Sequence, residues 1–189
     1  MDQALFPALK AAILAETAPE FVAYRQAGNK ESEMAQWLNT AHDSELAWKK
    51  AASWGPIFAA LDGSLYTPQP AQVTGANDAT ATKLLLVNLL KLTMQQNYLL
   101  AMQTVDASNE DVRNALVDQV TNAYTLNGNN RTNPGGVGGA AIVPSMVRPA
   151  LRVELIFGGQ VSATGGVTAR ALNYEGTVTA QEISDALAS

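Results

Sequence analysis

Ala140-Ala141-Ile142-Val143-Pro144-Ser145-Met146-Val147-Arg148-Pro149-Ala150-Leu151-Arg152-Val153-Glu154-Leu155-Ile156-Phe157 is the stretch on which the architecture turns. Its apolar run reads as helical in part. Pro144 and Pro149 each lack a backbone N–H and disfavour helix in the residue before, so a kink or a restart is expected. Within such a helix Arg148 and Arg152 lie four apart on one face and Glu154 points elsewhere, so the two guanidinium groups are placed to grip a carboxylate on another segment or another subunit. Charges inside an apolar helix mark a buried or interfacial ion pair with a geometric role; the alternative is an ordinary solvated face.

Beyond this stretch lie Gly158-Gly159 and Gly165-Gly166, and then Val167 to Tyr174 with Thr177-Val178, whose β-branched and aromatic character predicts one or two strands. Thr179-x-x-Glu182 is a capping box that opens a last helix containing Ile183 and Leu187. On the other side, Asn127 to Gly139 is a polar, glycine-rich loop with too few apolar residues to pack, expected to be mobile or to drape over a neighbour.

Upstream the chain reads as helices. Leu5, Leu9, Ala12 and Ile13 recur at helical spacing, with Pro7 in the first turn. Thr17-Ala18-Pro19-Glu20 predicts a capping box for a helix through Tyr24, closed by Gly28-Asn29. Asn29 is placed to cap a segment with Met34, Trp37 and Leu38 on one face. Ser44 to Ser53 is expected to be a further helical piece, and Gly55-Pro56, Gly63 and Pro68-Gln69-Pro70 an irregular connection. From Asp78 to Met102 the spacing predicts one long helix, apolar around most of its circumference but interrupted by Lys83, Asn88 and Lys91, which exclude a membrane span. Ser108-x-x-Asp111 is expected to cap a helix striped by Val112, Leu116, Val120 and Tyr124 that packs antiparallel to the long one.

The predicted fold is therefore mainly α: a helical bundle over 1–126, the Gly/Asn-rich loop at 127–139, and a C-terminal helix with a β-strand pair or extended arm over 140–189, packed on the bundle or on neighbouring subunits. At 189 residues the chain has the length of one domain able to bury roughly 70% of its unfolded surface. Only 15% of residues are charged, against an average of about 25%, which suits a chain packed against other subunits. A net charge of -5 without a Lys/Arg cluster argues against nucleic-acid binding. The chain contains no cysteine, so disulfides, thiolate catalysis and Cys-type zinc sites are excluded.

Catalytic readings fail part by part. His42 is the single histidine, which rules out two-His metal sites within one chain; between Thr40 and Asp43 it reads as a surface or capping residue at a helix start and not as a catalytic base. Glu31 with Glu33, and Glu110 with Asp111, are paired acids at helix starts, where they meet the helix dipole. Gly135 to Gly139 lacks the Gly-Lys-Ser ending of a phosphate loop, and Ser145 lacks a nucleophile elbow. Trp37, Trp48 and Trp54 read as core or interface anchors. No catalytic, cofactor-binding or metal-ligating residue is assigned, and no enzyme activity is expected.

Leu9-Lys10-Ala11-Ala12-Ile13, Gly28-Asn29, Trp37-Leu38-Asn39, Arg148-Pro149-Ala150-Leu151-Arg152-Val153-Glu154 and Tyr174-Glu175-Gly176-Thr177-Val178 stand in an order and spacing that resembles a family of small virion structural proteins of tailed bacteriophages. The middle of the chain departs from that pattern. The resemblance implies a virion protein assembled in the host cytoplasm: a head-to-tail connector (neck or adaptor) that forms a homo-oligomeric ring on the portal, twelve-fold by that family role. A tail or fibre-attachment adaptor, or a cytoplasmic assembly chaperone or helical binding module, are the alternatives. Arg148, Arg152, Glu154, Tyr174 and Glu175 are the candidate subunit-contact residues, with portal or tail proteins as partners and no membrane.

Overall fold

The computed structural model of the chain describes residues 1–60, 103–126 and 138–189. The long helix expected over Asp78 to Met102, the turn signals at Gly63 and Pro68 to Pro70, and the glycine loop before Gly138 lie outside the described residues. In chain order the described elements are α1 (Phe6–Ala15), α2 (Pro19–Ala27), α3 (Glu31–Leu38), β1 (Ala41–Trp48), β2 (Ala52–Ser53), α4 (Trp54–Ala59), β3 (Thr104–Val105), α5 (Glu110–Leu126), β4 (Val147–Leu151), α6 (Arg152–Ile156), β5 (Gly159–Thr164), β6 (Val167–Leu172) and α7 (Ala180–Ala188), with 3-10 stretches at Gln3–Leu5 and Gly138–Met146.

This is a mixed α/β fold, not the mainly α bundle expected. One sheet has the strand order β4-β1-β6-β5, and β1 runs parallel to β6 with Ala47 opposite Arg170. Backbone bonds from Arg152 N to the Thr40 carbonyl and from Lys49 N to the Met146 carbonyl pair rising with falling residue numbers, so β4 lies antiparallel to β1. The helix expected over Ser44 to Ser53 is instead the later part of β1, a turn, and the whole of β2. Its Glu, Leu, Ala and Lys residues favour helix by only tenths of a kcal/mol each, about the scale that sheet pairing and burial override. The helix expected through Arg148 is strand β4, because Pro149 holds Arg148 extended and lacks the N–H that an inner strand would need.

The chain groups into two compact units, interleaved along the sequence: Met1–Ala47, Arg148–Val161 and Arg170–Ser189 form one, and Trp48–Val147 with Ser162–Ala169 the other. The first unit is built on α1, α2, α3, α6 and α7. Phe6, Leu9 and Ile13 from α1, Phe21 from α2, Met34, Ala35 and Leu38 from α3, Val153 from α6, and Val178, Ile183 and Ala186 from the C-terminal segment are buried together. A smaller cluster of Ala47, Ala150 and Leu172 packs with Leu155.

Local sequence sets the helix ends of this unit. Glu16 Oε1 accepts the N–H groups of Thr17 and Ala18 at 2.8 Å each, so it serves the start of α2 in place of the expected Thr17–Glu20 box. Glu20 instead accepts the Tyr24 hydroxyl one turn on. Arg25 donates to the carbonyls of Ile13 and Leu14 at 2.7 Å, closing α1 with a cation at its negative end. Asn29 (φ 50°) and Gly28 (φ 68°) turn the chain out of α2, but no side chain caps α3. The capping box of α7 forms as read: Thr179 Oγ1 accepts from Glu182 N, and Glu182 Oε2 accepts from Thr179 N.

The second unit buries Trp48, Trp54, Ile57, Val105, Leu116, Val120, Ile142, Val143 and Met146, and pairs β2 antiparallel with β3. Asn109, not Ser108, caps α5, accepting the N–H of Asp111 at 2.9 Å. Its centre is Arg113, which has no exposed surface and stacks 4.0 Å over the Trp48 ring. Its guanidinium donates to the carbonyls of Ala107 and Ser108 and to the hydroxyls of Ser162 and Thr164. Burial pushes its pKa down, against the pull of Glu110 and Asp106. The 3-10 stretch approaches α5 so closely that a Cβ on Gly139 would fall 2.0 Å from the Val117 carbonyl oxygen.

Candidate functional site

The site is assembled by the step from β4 into α6. Pro149 keeps Arg148 in the strand, Leu151 occupies the N-cap position, and Glu154 stands in the first turn of the helix. From there its carboxylate reaches back to the Leu151 N–H at 2.8 Å, as the acid of a capping box does. The same turn aims it at Arg148, whose two terminal nitrogens donate to Oε2 at 2.7 Å and Oε1 at 2.8 Å. This is the two-pronged geometry a planar guanidinium matches best. Gly176 N supplies a fourth donor at 3.1 Å. Gly176 has φ 145°, a value side-chain-bearing residues rarely adopt, so the Glu175-Gly176 pair is what lets this backbone N–H meet the carboxylate.

Glu154 is only 1% exposed. Burial pushes its carboxyl upward, but the Arg148 hydrogen bonds and the N–H groups of Leu151 and Gly176 outweigh burial and hold its pKa below the ordinary value. Arg148 is raised in turn, chiefly by its bonds to Glu154. Glu175 Oε2 approaches the same Arg148 nitrogen that meets Glu154 Oε1, at 3.4 Å. Tyr174 donates its hydroxyl to the Thr177 carbonyl at 2.8 Å and sets its ring edge-on to Phe157 at 4.9 Å. Burial leads the causes that raise its pKa.

Arg148, Glu154, Glu175 and Tyr174 are therefore brought together, while Arg152 is not. Read as a helix, the two arginines share a face; in the strand-to-helix step they separate, and Arg148 takes the carboxylate of Glu154 alone. Arg152, the first residue of α6, stacks its guanidinium 4.3 Å over the Trp37 ring. Two concavities share this pair as a wall. One, of about 560 Å³, is lined by Ala12, Glu16, Leu38, His42, Leu155 and Ile156 among others. The second, of about 340 Å³, adds Glu20, Tyr24, Glu33 and Gln36. His42 is thus on strand β1 at the wall of a pocket, not at the helix start expected of it.

Asn39 lies outside the residues expected to form the site, yet its side chain binds Val178 at both backbone groups, donating to the carbonyl and accepting from the N–H at 2.8 Å each. Its signal was its place after Trp37-Leu38, at the end of α3, where a side-chain amide is free to pair with passing backbone. Among the described residues no three His, Asp or Glu side chains are grouped to hold a metal ion, and no helix is long and apolar enough to cross a membrane. Comparison of the chain with models of protein families, with curated proteins and with solved structures gives no match.

Proposed function

We propose that the chain is a structural subunit of a tailed-phage virion, a head-to-tail connector that forms a ring on the portal. The observation that carries this reading is that the separate motifs of the family resemblance meet in one unit. Leu9, Ile13, Leu38, Val153 and Val178 share a single buried cluster. Asn39 clamps Val178, and Glu154 joins Arg148 to Gly176. The middle of the chain, where the family pattern is lost, falls outside that unit, between Ala47 and Arg148. Motifs that are individually weak thus serve one framework, with a long excursion between two of its strands.

Surface character supports assembly. Leu14 is 56% and Val161 52% exposed, although both are large apolar side chains. Val161 lies on β5, one of the two edge strands in the order β4-β1-β6-β5, and β5 carries no charged residue of the kind that blunts an edge. Of the one or two strands expected between Val167 and Val178, β6 forms inside a four-stranded sheet and Thr177-Val178 forms none, so the strand needs no neighbour for stability. What the edge offers is a place for a neighbour's strand to add.

Mass spectrometry of purified virions tests the reading. A connector is present in a fixed copy number relative to the portal protein. An assembly chaperone is absent from the finished particle, and that result would overturn the proposal.

A further inference from the structure

The Arg152 side chain is placed and held, but not used. Its backbone N–H donates to the Thr40 carbonyl at 3.1 Å, which fixes the start of α6. Its guanidinium carbon lies 4.3 Å from the centroid of the Trp37 ring, over its face. Among the described residues that guanidinium makes no hydrogen bond and no ion pair, in contrast to Arg25, Arg113, Arg148 and Arg170, whose side chains all donate. A guanidinium held over an aromatic ring keeps N–H donors in a planar fork that matches a carboxylate. Stacking on an indole also holds the fork in place before anything binds, which lowers the ordering cost of binding.

The surroundings narrow the ligand. The larger pocket offers apolar walls from Ala12, Ala18, Leu38, Leu155 and Ile156 beside the arginine, and its roughly 560 Å³ is the size of a side-chain or small-ligand site. The acids around it are engaged: Glu16 with Thr17 and Ala18 N–H, Glu20 with the Tyr24 hydroxyl, and Glu33 with Lys30 at 2.5 Å. Their negative field still disfavours a polyanion such as a phosphate or a nucleic-acid backbone, and a single carboxylate next to an apolar group meets both features of the pocket.

We infer that the Trp37–Arg152 pocket is a binding site for an acidic-apolar peptide segment of a partner protein, the carboxylate bound in the fork of Arg152 and the neighbouring aliphatic side chain seated against Leu38, Leu155 and Ile156. This gives Arg152 an occupant and does not depend on the virion assignment. The test is an NMR titration of the isotope-labelled full chain with acetyl-leucyl-glutamate amide, its glutamine counterpart and inorganic phosphate. Saturable shifts of the Trp37 indole N–H are expected with the glutamate peptide, with Kd in the range of about 1 mM for so small a ligand. Binding at least tenfold weaker is expected for the glutamine peptide and for Arg152→Gln. Arg152→Lys, which keeps the charge and loses the fork, is expected to bind several-fold more weakly. No saturable shift with the glutamate peptide, equal binding of the glutamine peptide, or phosphate binding as well as the peptide overturns the inference. The two peptide arms on the unaltered chain decide it even where a variant does not fold.

Discussion

Glu154→Ala removes the acceptor of four hydrogen bonds at once: two from Arg148 and one each from the N–H groups of Leu151 and Gly176. Truncating one partner of a buried ion pair costs about 3–5 kcal/mol, because the other charge is left desolvated. Arg148 keeps 27% of its side chain in water and retains Glu175 at 3.4 Å, which places the loss near the lower end of that range, at about 3 kcal/mol. Arg148→Met leaves the more deeply buried Glu154 carboxylate with only its two backbone donors and is expected to cost at least as much, about 3–4 kcal/mol. In the double variant the stranded charge disappears, so the combined loss falls short of the sum by about 1–2 kcal/mol. Urea denaturation followed by far-UV circular dichroism measures the four stabilities, and hydrogen exchange of α6 and of the backbone near Gly176 locates the change. A Glu154→Ala loss below about 1 kcal/mol, or strict additivity in the cycle, would refute the claim that this carboxylate organises the unit.

The same carboxylate predicts a pH dependence. Because its folded pKa lies below the ordinary value, its contribution is complete above the unfolded value of about 4.3 and is lost as pH falls through the folded one, so urea midpoints should drop below about pH 4.5, and Glu154→Gln should flatten that limb. Asn39→Ala deletes both bonds to Val178 and should cost about 1–3 kcal/mol by the same denaturation, with faster exchange at Val178 N–H. Gly139→Ala forces a Cβ toward the Val117 carbonyl oxygen and should lower the stability of the second unit by more than about 2 kcal/mol, read from the fluorescence of Trp48 and Trp54. Thr179→Ala removes one half of the α7 capping box and should cost about 1 kcal/mol; an unchanged midpoint would show the box to be idle.

Some helix starts were legible, although the caps expected of Thr17, Asn29 and Ser108 do not form. Pro7 in the first turn of α1, the acids opening α3 and α5, and the Thr179–Glu182 box all lie where the sequence places them. Strand β6 (Val167–Leu172) lies within the stretch the sequence marks as strand; the other strands were not legible, for two different reasons. Residues 44–48 carry the helix formers Glu45, Leu46 and Ala47, and only β4 and β6, brought from far along the chain, make them a strand; no local pattern carries that. Strands β4 and β5 did leave signals. Pro149 speaks for an extended edge residue, and Gly165-Gly166, both with positive φ, is the two-residue turn of a hairpin that makes Gly159–Thr164 a strand in its own right. The apolar density of Ala140 to Phe157 outweighed both. The misread helix also hid the pairing of Arg148 with Glu154, since residues six apart do not meet on a helix but do across a strand-to-helix step.

The central claim, a repeated virion subunit that assembles on a portal, is tested most directly by native mass spectrometry with negative-stain imaging of the purified chain, alone and mixed with the portal protein. The account predicts a discrete closed oligomer or a stoichiometric complex with the portal ring. A stable monomer that binds neither itself nor the portal would contradict it.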